Sequence, residues 1–372
     1  MLKKLEKRGK IALARLFSLF VRTRTLAPEE LHAGEITRLL VIRQHNQMGD
    51  MLLAVPAFRG LRRRFPNARI SLLAASINTD VMRNNPYIDE VLTYAKERHN
   101  KLPARLIRFV AQLRRSRFDA VIVLNTVSFS ITSMLLAWMS GAAIRIGSTS
   151  RPFGHDLTRR FYHIELPLPS ADELESMHES EHNLYPLSVL GVHERDLSSA
   201  LVPSKEEERA CDRFIAAIVP RGSRFAVVHP GAGKKQNIWP PDRFAAVAER
   251  LRDGYAIDSI MVRGPMDGEV ADAALRAGIS PCTVLSCPAP GFLGSLLRRA
   301  ALTICNDTGV MHIAGAVGAR CIAVFGPTDP ARWKPIGDQI IAVRSHDGRT
   351  ESVGVEEVFG AVRNLLDGSS GH

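Results

Sequence analysis

Cysteine is scarce in this sequence, and the few cysteines present show no paired spacing. There are five among 372 residues, and no two of them form a Cys-x-x-Cys pair. An odd number without paired spacing argues against a disulfide framework and against a zinc site. Cys305 closes an apolar run, so we predict a core residue there rather than a nucleophile. The composition thus predicts a protein of a reducing compartment, such as the cytoplasm, with no metal site.

The sequence also lacks a stretch that is apolar enough to predict a membrane span. Residues 125–144 contain no charged side chain over twenty residues, which is nominally long enough to cross a bilayer. Hydroxyl and amide side chains interrupt that stretch, at Asn125, Thr126, Ser128, Ser130, Thr132, Ser133 and Ser140. Because it follows a strand pattern and contains Gly141 near its end, we predict a buried crossover helix instead.

Acidic residues are almost absent from the first 24 positions. Eight Lys or Arg stand there against the single Glu6, a net charge of +7 out of +11 for the whole chain. Wound as a helix, this segment is apolar on one side and basic on the other, as in helices that lie on an anionic membrane surface. It shows no small-residue cleavage site, so we do not predict a signal peptide. Docking onto the protein itself is the alternative, whereas no recognised motif supports nucleic-acid binding.

What the sequence does contain is an alternation of strand and helix patterns, which predicts α/β domains with parallel sheets. The predicted strands are 38–43, 70–74, 120–124, 225–228, 259–262, 301–304 and 321–325. A hydrophobic content of 45% over this length suffices for two domain cores. Proline and charge concentrate between them, so the predicted parts are an N-terminal segment 1–35, a domain 36–200, a connection 201–220 and a domain 221–372.

The most informative run is Asn306-Asp307-Thr308-Gly309, with His312 on the helix that we predict after it. In a parallel sheet such a turn lies at the carboxyl ends of the strands, where ligands bind. The free N–H groups at the helix start favour an anion, Asp307 can hold a ligand hydroxyl, and Thr308 can donate to a phosphate oxygen. The alternative is that this turn only caps the helix and that His312 is a core residue.

A second turn of the same kind follows the strand at 38–43. Gly49 permits a close backbone approach, and Asp50 stands before a helical pattern over residues 51–61. Asp50 is thereby predicted to face a ligand at the edge of its own sheet. The alternative is that Asp50 is simply the N-cap of that helix.

These two turns belong to the first and last of three motifs that together resemble glycosyltransferase family 9, the heptosyltransferases of bacterial lipopolysaccharide core assembly. The resemblance covers roughly residues 36–345. The matching segments are, in chain order, Ile42-Arg43 with Met48-Gly49-Asp50, Pro56 and 62–66; Val228-His229-Pro230-Gly231-Ala232-Gly233 with Trp239-Pro240; and Asn306-Asp307-Thr308-Gly309 with His312, Phe325-Gly326-Pro327-Thr328-Asp329-Pro330 and Trp333-Lys334-Pro335.

The resemblance implies a GT-B fold, in which two Rossmann-like domains face a central cleft. It also implies an inverting, metal-independent transfer of a sugar from a nucleotide-diphosphate donor, with ADP-heptose as the donor and no cofactor. By the same resemblance Asp50 is the general base that deprotonates the acceptor hydroxyl, and Asp307 contacts the donor. We place the other donor contacts at Gly49, Gly231, Gly233, Lys234, Lys235, Thr308, Gly309, His312, Pro327 and Thr328.

The central motif departs from the family pattern at Asn237. Many members place a Lys or Arg there, two residues before the Trp-Pro pair, to neutralise the donor diphosphate. Lys234 and Lys235 lie just upstream in a glycine-rich loop, and either can supply that charge. We favour Lys234, and the alternative is that both lysines are solvated on a surface loop.

The acceptor implied by the resemblance is a lipopolysaccharide core or related glycolipid. Its phosphates or acidic sugars are expected to contact arginines near Asp50, since arginine binds such groups bidentately. The candidates are Arg43, Arg59, Arg62 and Arg63. We further expect a monomer attached through residues 1–24 to the inner face of the bacterial cytoplasmic membrane, with no nucleic-acid partner.

Two other functions stay open on the sequence. One is a nucleotide-sugar epimerase or hydrolase, which would turn over the donor without an acceptor. The other is a degenerate, non-catalytic member that binds a nucleotide or a glycolipid. Asn237 in the expected cation position favours the second alternative, whereas the presence of both Asp50 and Asp307 argues against it.

Overall fold

The structure, a computed structural model, describes residues 18, 21, 23–44, 47–99, 102–126, 128–154, 156–279 and 283–367. The chain forms two compact units, and the division falls between Leu197 and Ser198. Each unit contains one six-stranded parallel sheet among its described residues.

The sheet of the first unit has the order β3-β2-β1-β4-β5-β6. Its strands are β1 Arg38–Arg43, β2 Arg69–Ala74, β3 Glu90–Thr93, β4 Ala120–Val123, β5 Ile144–Ser148 and β6 Ile164–Leu166. Between and after them lie the helices α1 Met48–Leu52, α2 Val55–Arg64, α3 Ser76–Met82, α4 Lys96–His99, α5 Pro103–Arg115, α6 Ile131–Met139, α7 Thr158–Phe161, α8 Ala171–Ser176 and α9 Glu179–Leu184.

β1 is central in this sheet because both of its faces are apolar. It pairs with β2, Leu39 opposite Ile70, and with β4, Leu39 opposite Ala120. Apart from Arg38 its residues are all buried, which is the pattern of a parallel strand covered by helices on both faces. One core cluster joins Leu40 and Ile42 of this strand to Leu113 of α5 and to residues of α6.

The sheet of the second unit has the order β12-β11-β10-β7-β8-β9. Its strands are β7 Arg224–His229, β8 Ile257–Arg263, β9 Thr283–Ser286, β10 Leu302–Asn306, β11 Cys321–Phe325 and β12 Ile340–Arg344. Its helices are α10 Lys205–Ile218, α11 Pro241–Tyr255, α12 Gly268–Arg276, α13 Pro290–Arg299, α14 Gly309–Ala316, α15 Pro330–Trp333 and α16 Val355–Leu366. Short 3-10 helices occur in the two units at Pro28–Glu30, Ala33–Glu35, Arg151–Phe153, Tyr185–Leu190, Lys235–Asn237 and Thr350–Ser352.

Both sheets have the doubly wound strand order of a Rossmann fold, counted within each unit as 3-2-1-4-5-6. The strand order reverses between β1 and β4 in the first unit and between β7 and β10 in the second. Ligands of such sheets bind outside the carboxyl ends of the strands at this point. The turns that follow Arg43 and Asn306, which the sequence singles out, lie at these two reversal points.

The connection predicted at residues 201–220 differs from the structure. Residues 205–218 form α10, which belongs to the second unit and packs against α13. A capping box explains why: the Ser204 hydroxyl accepts from the Glu207 N–H, and the Glu207 carboxylate accepts from the Ser204 N–H. The charge run that suggested a linker is therefore the first, solvent-facing turn of a helix.

The basic segment at residues 1–24 lies mostly outside the described residues, so the prediction of an amphipathic helix stays a prediction. Its described end contacts the first unit. Val21 joins the core of that unit, and the Thr23 hydroxyl donates to the Arg160 carbonyl over 2.7 Å. The end of the segment therefore docks on the protein itself.

The charge-free stretch at residues 125–144 is a buried crossover element, as predicted. It contains α6, whose Ser130 N-cap hydroxyl accepts from the Ser133 N–H, and most of α6 is buried. Across the described part of the chain, no helix has the length and hydropathy that crossing a membrane requires.

Candidate functional site

The turn after β10 is built around Asn306, whose side chain is completely buried. Its amide nitrogen donates to the carbonyls of Pro230 and Gly231, and its amide oxygen accepts from the Trp239 N–H over 2.9 Å. One side chain thus fixes the turn after β7, the loop before α11 and its own turn. Asn306 therefore holds the three pieces of this edge together.

Asp307 follows and is held from two sides. Its N–H donates to the Val324 carbonyl, and its Oδ2 accepts from the Asn237 amide over 3.0 Å. Burial raises the pKa of the Asp307 carboxyl, while the Thr328 hydroxyl bond and the Lys234 charge oppose that rise. A carboxylate in this setting has a fixed orientation and accepts hydrogen bonds, which suits it to holding hydroxyl groups of a ligand.

Thr308 and α14 complete the turn. Thr308 is the N-cap residue, yet its side chain makes no capping hydrogen bond, and the helix runs over Gly309–Ala316. The capping alternative thus receives no support from Asp307 or Thr308. The first N–H groups of such a helix have no intrahelical partner and favour an anion. His312 lies on the same helix and is buried.

The turn after β7 depends on the small size of Gly231. A Cβ at this position would lie 2.1 Å from the carboxyl carbon of Asp267, so any side chain would displace that residue. Asp267 accepts from the Gly264 N–H and lies 3.7 Å from His229 Nε2. Gly233, by contrast, faces open space. The residues of this turn therefore differ in function, since Gly231 is needed for packing and Gly233 keeps the loop open.

His229 is buried beneath this turn as a neutral imidazole. Its Nδ1 donates to the Val262 carbonyl over 2.9 Å, because a carbonyl can only accept. Burial lowers the pKa of His229, against the raising effects of that bond and of the Asp267 charge. The sequence motif contains His229, but its proximity to Asp267 was not predicted, since the two residues stand 38 positions apart.

The loop before Trp239 contains two lysines and one asparagine, whose side chains differ in exposure and in their contacts with Asp307. Lys234 and Lys235 are both exposed, and only Lys234 acts electrostatically on Asp307. Asn237, 5% exposed, donates to Asp307, while its amide oxygen has no hydrogen-bond partner among the described residues. The chain thus has an amide that orients the acid at the place where the family pattern has a cation, and Lys234 supplies a positive charge that acts on that acid.

The turn after β11 adjoins the Asp307 turn and the loop before Trp239. Thr328 is half-buried and contacts Asp307 and the Asn237 amide, while Pro327 is exposed. Gly326 is tightly enclosed, since a Cβ there would lie 2.9 Å from the Gln236 carbonyl oxygen. Arg344 of β12 fixes the turn by donating to the Gly326 carbonyl over 3.0 Å. The donor-binding residues predicted in the second unit therefore lie on three adjoining turns.

In the first unit the buried side chain of Arg43 supports the corresponding turn, which follows β1 and contains Asp50. This side chain is 0% exposed, and its guanidinium donates to the Leu124 carbonyl and, over 3.0 Å, to the Asp50 carbonyl. Burial lowers the pKa of Arg43 to about 10, against the raising effect of the charges on Asp50 and Glu179. Arg43 is thus charged at neutral pH and fixes the backbone of the Asp50 turn.

Asp50 is the third residue of α1, next to the buried Gly49, and its side chain is half-buried. The N-cap position belongs to Gln47, which makes no side-chain capping bond. The alternative that Asp50 merely caps this helix is therefore not what the structure shows.

A buried polar cluster beneath the Asp50 turn was not predicted. Glu179, 1% exposed, lies 3.3 Å from His182 Nδ1, and the Asn183 amide donates to the Leu53 carbonyl that follows α1. Thr126, after β4, donates to Asn183. The sequence of residues 178–184 could have indicated this cluster, because it combines charged and polar residues with a helical pattern.

The same segment contains a His-Glu-x-x-His spacing, which in other proteins binds zinc on one helix face. Here His178 precedes α9 as its N-cap, and its Nδ1 accepts from the Ser180 N–H. The two histidines therefore do not share a helix face as ligands. In the part of the chain that the structure describes, no group of three or more His, Cys, Asp or Glu side chains is arranged to hold a metal ion.

The arginines predicted to bind the acceptor are engaged within the first unit. Arg59 is buried and pairs with Asp196 over 3.0 Å. Arg62 pairs with Asp89, and Arg63 pairs with Glu194 over 2.8 Å. Burial of Arg43 and Arg59 argues against direct acceptor contact by either. For Arg62 and Arg63, which are partly or largely exposed, acceptor binding stays a prediction.

The buried cysteines behave as predicted for core residues. Cys305 and Cys321 lie on adjacent strands with their sulfur atoms 3.6 Å apart, and both are fully buried. Burial raises the pKa of Cys305 well above its ordinary value, so the thiol stays protonated and inert.

Comparison with known proteins matches this chain to one enzyme family. The sequence model of glycosyltransferase family 9 (heptosyltransferase) matches residues 106–362. Lipopolysaccharide heptosyltransferase 3 of Escherichia coli is 25% identical over 318 residues, covering 81% of this chain and 87% of that protein.

Solved structures with the same fold extend over nearly the whole chain. The glycosyl transferase family 9 structure from Veillonella parvula DSM 2008 has a TM-score of 0.79 at 23% identity, covering 91% of this chain and 99% of that one. The structure of E. coli heptosyltransferase WaaC with ADP-2-deoxy-2-fluoro heptose has a TM-score of 0.67 at 18% identity, covering 90% and 100%. The predicted GT-B fold and the predicted glycosyltransferase class are both confirmed.

Proposed function

Because this chain belongs to glycosyltransferase family 9, we propose that it transfers heptose from ADP-heptose to a lipopolysaccharide core or a related glycolipid. One observation carries the proposal: the Asp50 turn and the Asp307 turn each stand at the strand-order reversal of a Rossmann-like sheet. ADP-2-deoxy-2-fluoro heptose is bound by WaaC, a protein of the same fold, which supports this choice of donor.

In the proposed reaction Asp50 is the general base. Its carboxylate takes the proton of the acceptor hydroxyl as the hydroxyl oxygen attacks the anomeric carbon of the donor. The bond from that carbon to the oxygen of the β-phosphate breaks, and ADP leaves with the electron pair. One direct displacement inverts the anomeric configuration. Arg43 contributes by fixing the Asp50 backbone carbonyl, so the base is held in place before the acceptor arrives.

The turns of the second unit are proposed to hold the donor. Asp307, oriented by Asn237, accepts from a donor hydroxyl, and the N–H groups at the start of α14 face the diphosphate. Lys234 supplies the positive charge, because it is the lysine that acts on Asp307. Preorganised donors and a cation at the leaving group stabilise the charge that develops on ADP. A metal ion is not required in this scheme.

We further propose that the protein is a monomer that works in the cytoplasm, at the inner face of the cytoplasmic membrane. There the lipid-linked acceptor is met, and residues 1–24 attach the chain to the anionic surface. The charge pattern of that segment supports the attachment, while its described end, which docks on the first unit, limits the attachment to the residues before it.

The test is an assay of the full chain with ADP-heptose and a deacylated lipopolysaccharide core that lacks its later heptoses. We expect ADP release that depends on the acceptor, a heptosylated product by mass spectrometry with inverted configuration by NMR, and no loss of rate in EDTA. ADP-heptose turnover without any acceptor would instead favour the epimerase or hydrolase alternative. Binding of ADP-heptose without turnover on any core acceptor would favour the non-catalytic one.

A further inference from the structure

The outward face of helix α5 in the first unit has an unusual charge. Residues 98–118 contain seven Lys or Arg and not one Asp or Glu. Within the continuously described part of this stretch the basic residues are all exposed, namely Arg105, Arg108, Arg114, Arg115 and Arg117. By contrast, α10 of the second unit has three glutamates in its first turn. An acid-free basic helix on a protein surface creates a local positive potential.

Two aliphatic side chains in the same part of the chain are also exposed. Ile107 is 67% exposed and Leu102, just before the helix, is 48% exposed. The core-facing side of α5 is already occupied by Phe109 and Leu113, which are buried in the first unit. Ile107 therefore contributes nothing to the core. An apolar side chain held outward among arginines is typical of a helix that lies in a membrane interface.

A depression of about 480 Å³ adjoins this face. Arg105, Arg108 and Gln112 line it, together with His99, whose ring stacks on Tyr94 at 5.0 Å between ring centroids. Two guanidinium groups and an amide around one concavity are donors suited to a phosphate group, because arginine binds phosphate oxygens in a bidentate way. The depression thus offers room for a lipid headgroup next to Arg105 and Arg108.

We propose that this basic face, defined by Leu102, Arg105, Ile107, Arg108 and Arg115, binds the surface of an anionic phospholipid bilayer. The arginines meet the headgroup phosphates, and the two aliphatic side chains enter the boundary with the acyl chains. The contact is separate from residues 1–24 and does not depend on which sugar the enzyme transfers.

The chemistry favours a bilayer over a nucleic acid. Single-stranded nucleic acids are bound by exposed aromatic side chains on which bases stack. Here the aromatic residue of α5, Phe109, is buried, and the exposed apolar residues are aliphatic. Burial of aliphatic side chains in lipid is favourable. These side chains offer no aromatic surface on which a base can stack.

The first test measures partition of the full chain onto vesicles of phosphatidylcholine with and without phosphatidylglycerol. The variant Arg105→Gln/Arg108→Gln/Arg115→Gln is expected to bind anionic vesicles roughly a hundredfold less tightly, since each basic residue near such a surface contributes several-fold. The matched control is Arg209→Gln/Arg213→Gln/Arg221→Gln. It removes the same charge from exposed positions on and after α10, where acids balance the arginines. The control is expected to bind within about threefold of the parent.

The second test reports on the face itself, so attachment through residues 1–24 cannot imitate it. Ile107→Cys receives an environment-sensitive fluorophore in a Cys282→Ser/Cys287→Ser background, where Cys211, Cys305 and Cys321 stay buried. Leu275→Cys, an exposed aliphatic position on α12, is the control label.

We expect the emission of the label at position 107 to shift to the blue with anionic vesicles and not with neutral ones, while the label at 275 does not respond. Sedimentation with vesicles but no shift at position 107 would overturn the proposal, because binding would then use another segment. Equal losses in the two arginine variants would overturn it as well, as would a response to a single-stranded oligonucleotide but not to vesicles.

Discussion

The two units present an acid at the same place in the same strand order, but different contacts position each acid. The carboxylate of Asp307 accepts hydrogen bonds from the Asn237 amide and from the Thr328 hydroxyl. Asp50 is fixed through its backbone carbonyl by the buried Arg43. A carboxylate that is already bonded and reluctant to ionise suits the binding of hydroxyl groups. Anchoring of the backbone holds Asp50 in place before the acceptor arrives, which suits a proton acceptor.

The largest effect is expected from Asp50→Asn. An amide cannot take a proton at neutral pH, so kcat for transfer should fall about 10²- to 10⁴-fold with the KM for the donor little changed. Steady-state kinetics with saturating acceptor measure this split. The control is Asp80→Asn on the exposed side of α3, which should retain parental rates. A variant at position 50 with near-parental kcat would remove the distinction between the two acids.

A smaller effect, on the KM for the donor, is expected to distinguish the two lysines of the loop before Trp239. Lys234→Gln should raise the KM for the donor about tenfold, because a charged hydrogen bond to phosphate contributes about 1.5 kcal/mol or more. Lys235→Gln, at a position that is also exposed on the same loop, should change it less than about twofold. Donor titrations at fixed acceptor give both values. The reverse ranking would move the phosphate contact to Lys235.

The packing of the turn after β7 is tested by Gly231→Ala. Its Cβ would collide with the Asp267 carboxyl group, so we expect a loss of about 1–3 kcal/mol in the free energy of unfolding. Gly233→Ala in the same turn has open space around the new methyl group and should leave stability unchanged within about 0.5 kcal/mol. Urea unfolding of the two variants makes the comparison. Equal stability would mean that Asp267 moves aside freely.

The smallest effect concerns the pH dependence of stability without ligand. Burial raises the pKa of Asp307 above its ordinary value of 3.8, so just above that value the folded protein binds more protons than the unfolded chain. Asp307 therefore makes a contribution to stability that falls as pH rises above 3.8 and is regained on acidification.

Asp307→Asn removes this dependence, so the stability of the variant relative to the parent should rise between pH 4 and pH 7. Unfolding in urea across that range measures the difference. A relative stability that falls with pH would show that the ionised Asp307 is favoured by its surroundings, contrary to the burial argument.

How much of the fold the sequence predicts depends on where a strand lies in its sheet. The seven predicted strands are β1, β2 and β4 of the first sheet and β7, β8, β10 and β11 of the second, all neighbours at the centre. Such strands are covered on both faces and appear as continuous apolar runs. The five missed strands, β3, β5, β6, β9 and β12, lie toward the edges. β9, for example, has no fully buried residue and therefore no apolar run to detect.

The candidate site divides in a similar way. The turns themselves were predictable, because glycine, acid and hydroxyl residues directly follow apolar strands, as at Asp50 and Asp307. The side chains that support them were not. Asn237 reaches Asp307 across 70 positions, and Glu179 lies 136 positions from Arg43. Pairings of this kind arise from the strand order, which the local sequence does not specify.

The most direct test of the division between the two acids is the affinity for ADP-heptose, or for ADP where the sugar is turned over, measured by calorimetry on Asp50→Asn and Asp307→Asn. We predict parental affinity for Asp50→Asn, since that residue acts on the acceptor. For Asp307→Asn we predict a loss of roughly 10- to 100-fold, as expected when a hydrogen bond to a charged group is removed. Equal affinities in the two variants, or a loss confined to Asp50→Asn, would contradict the account.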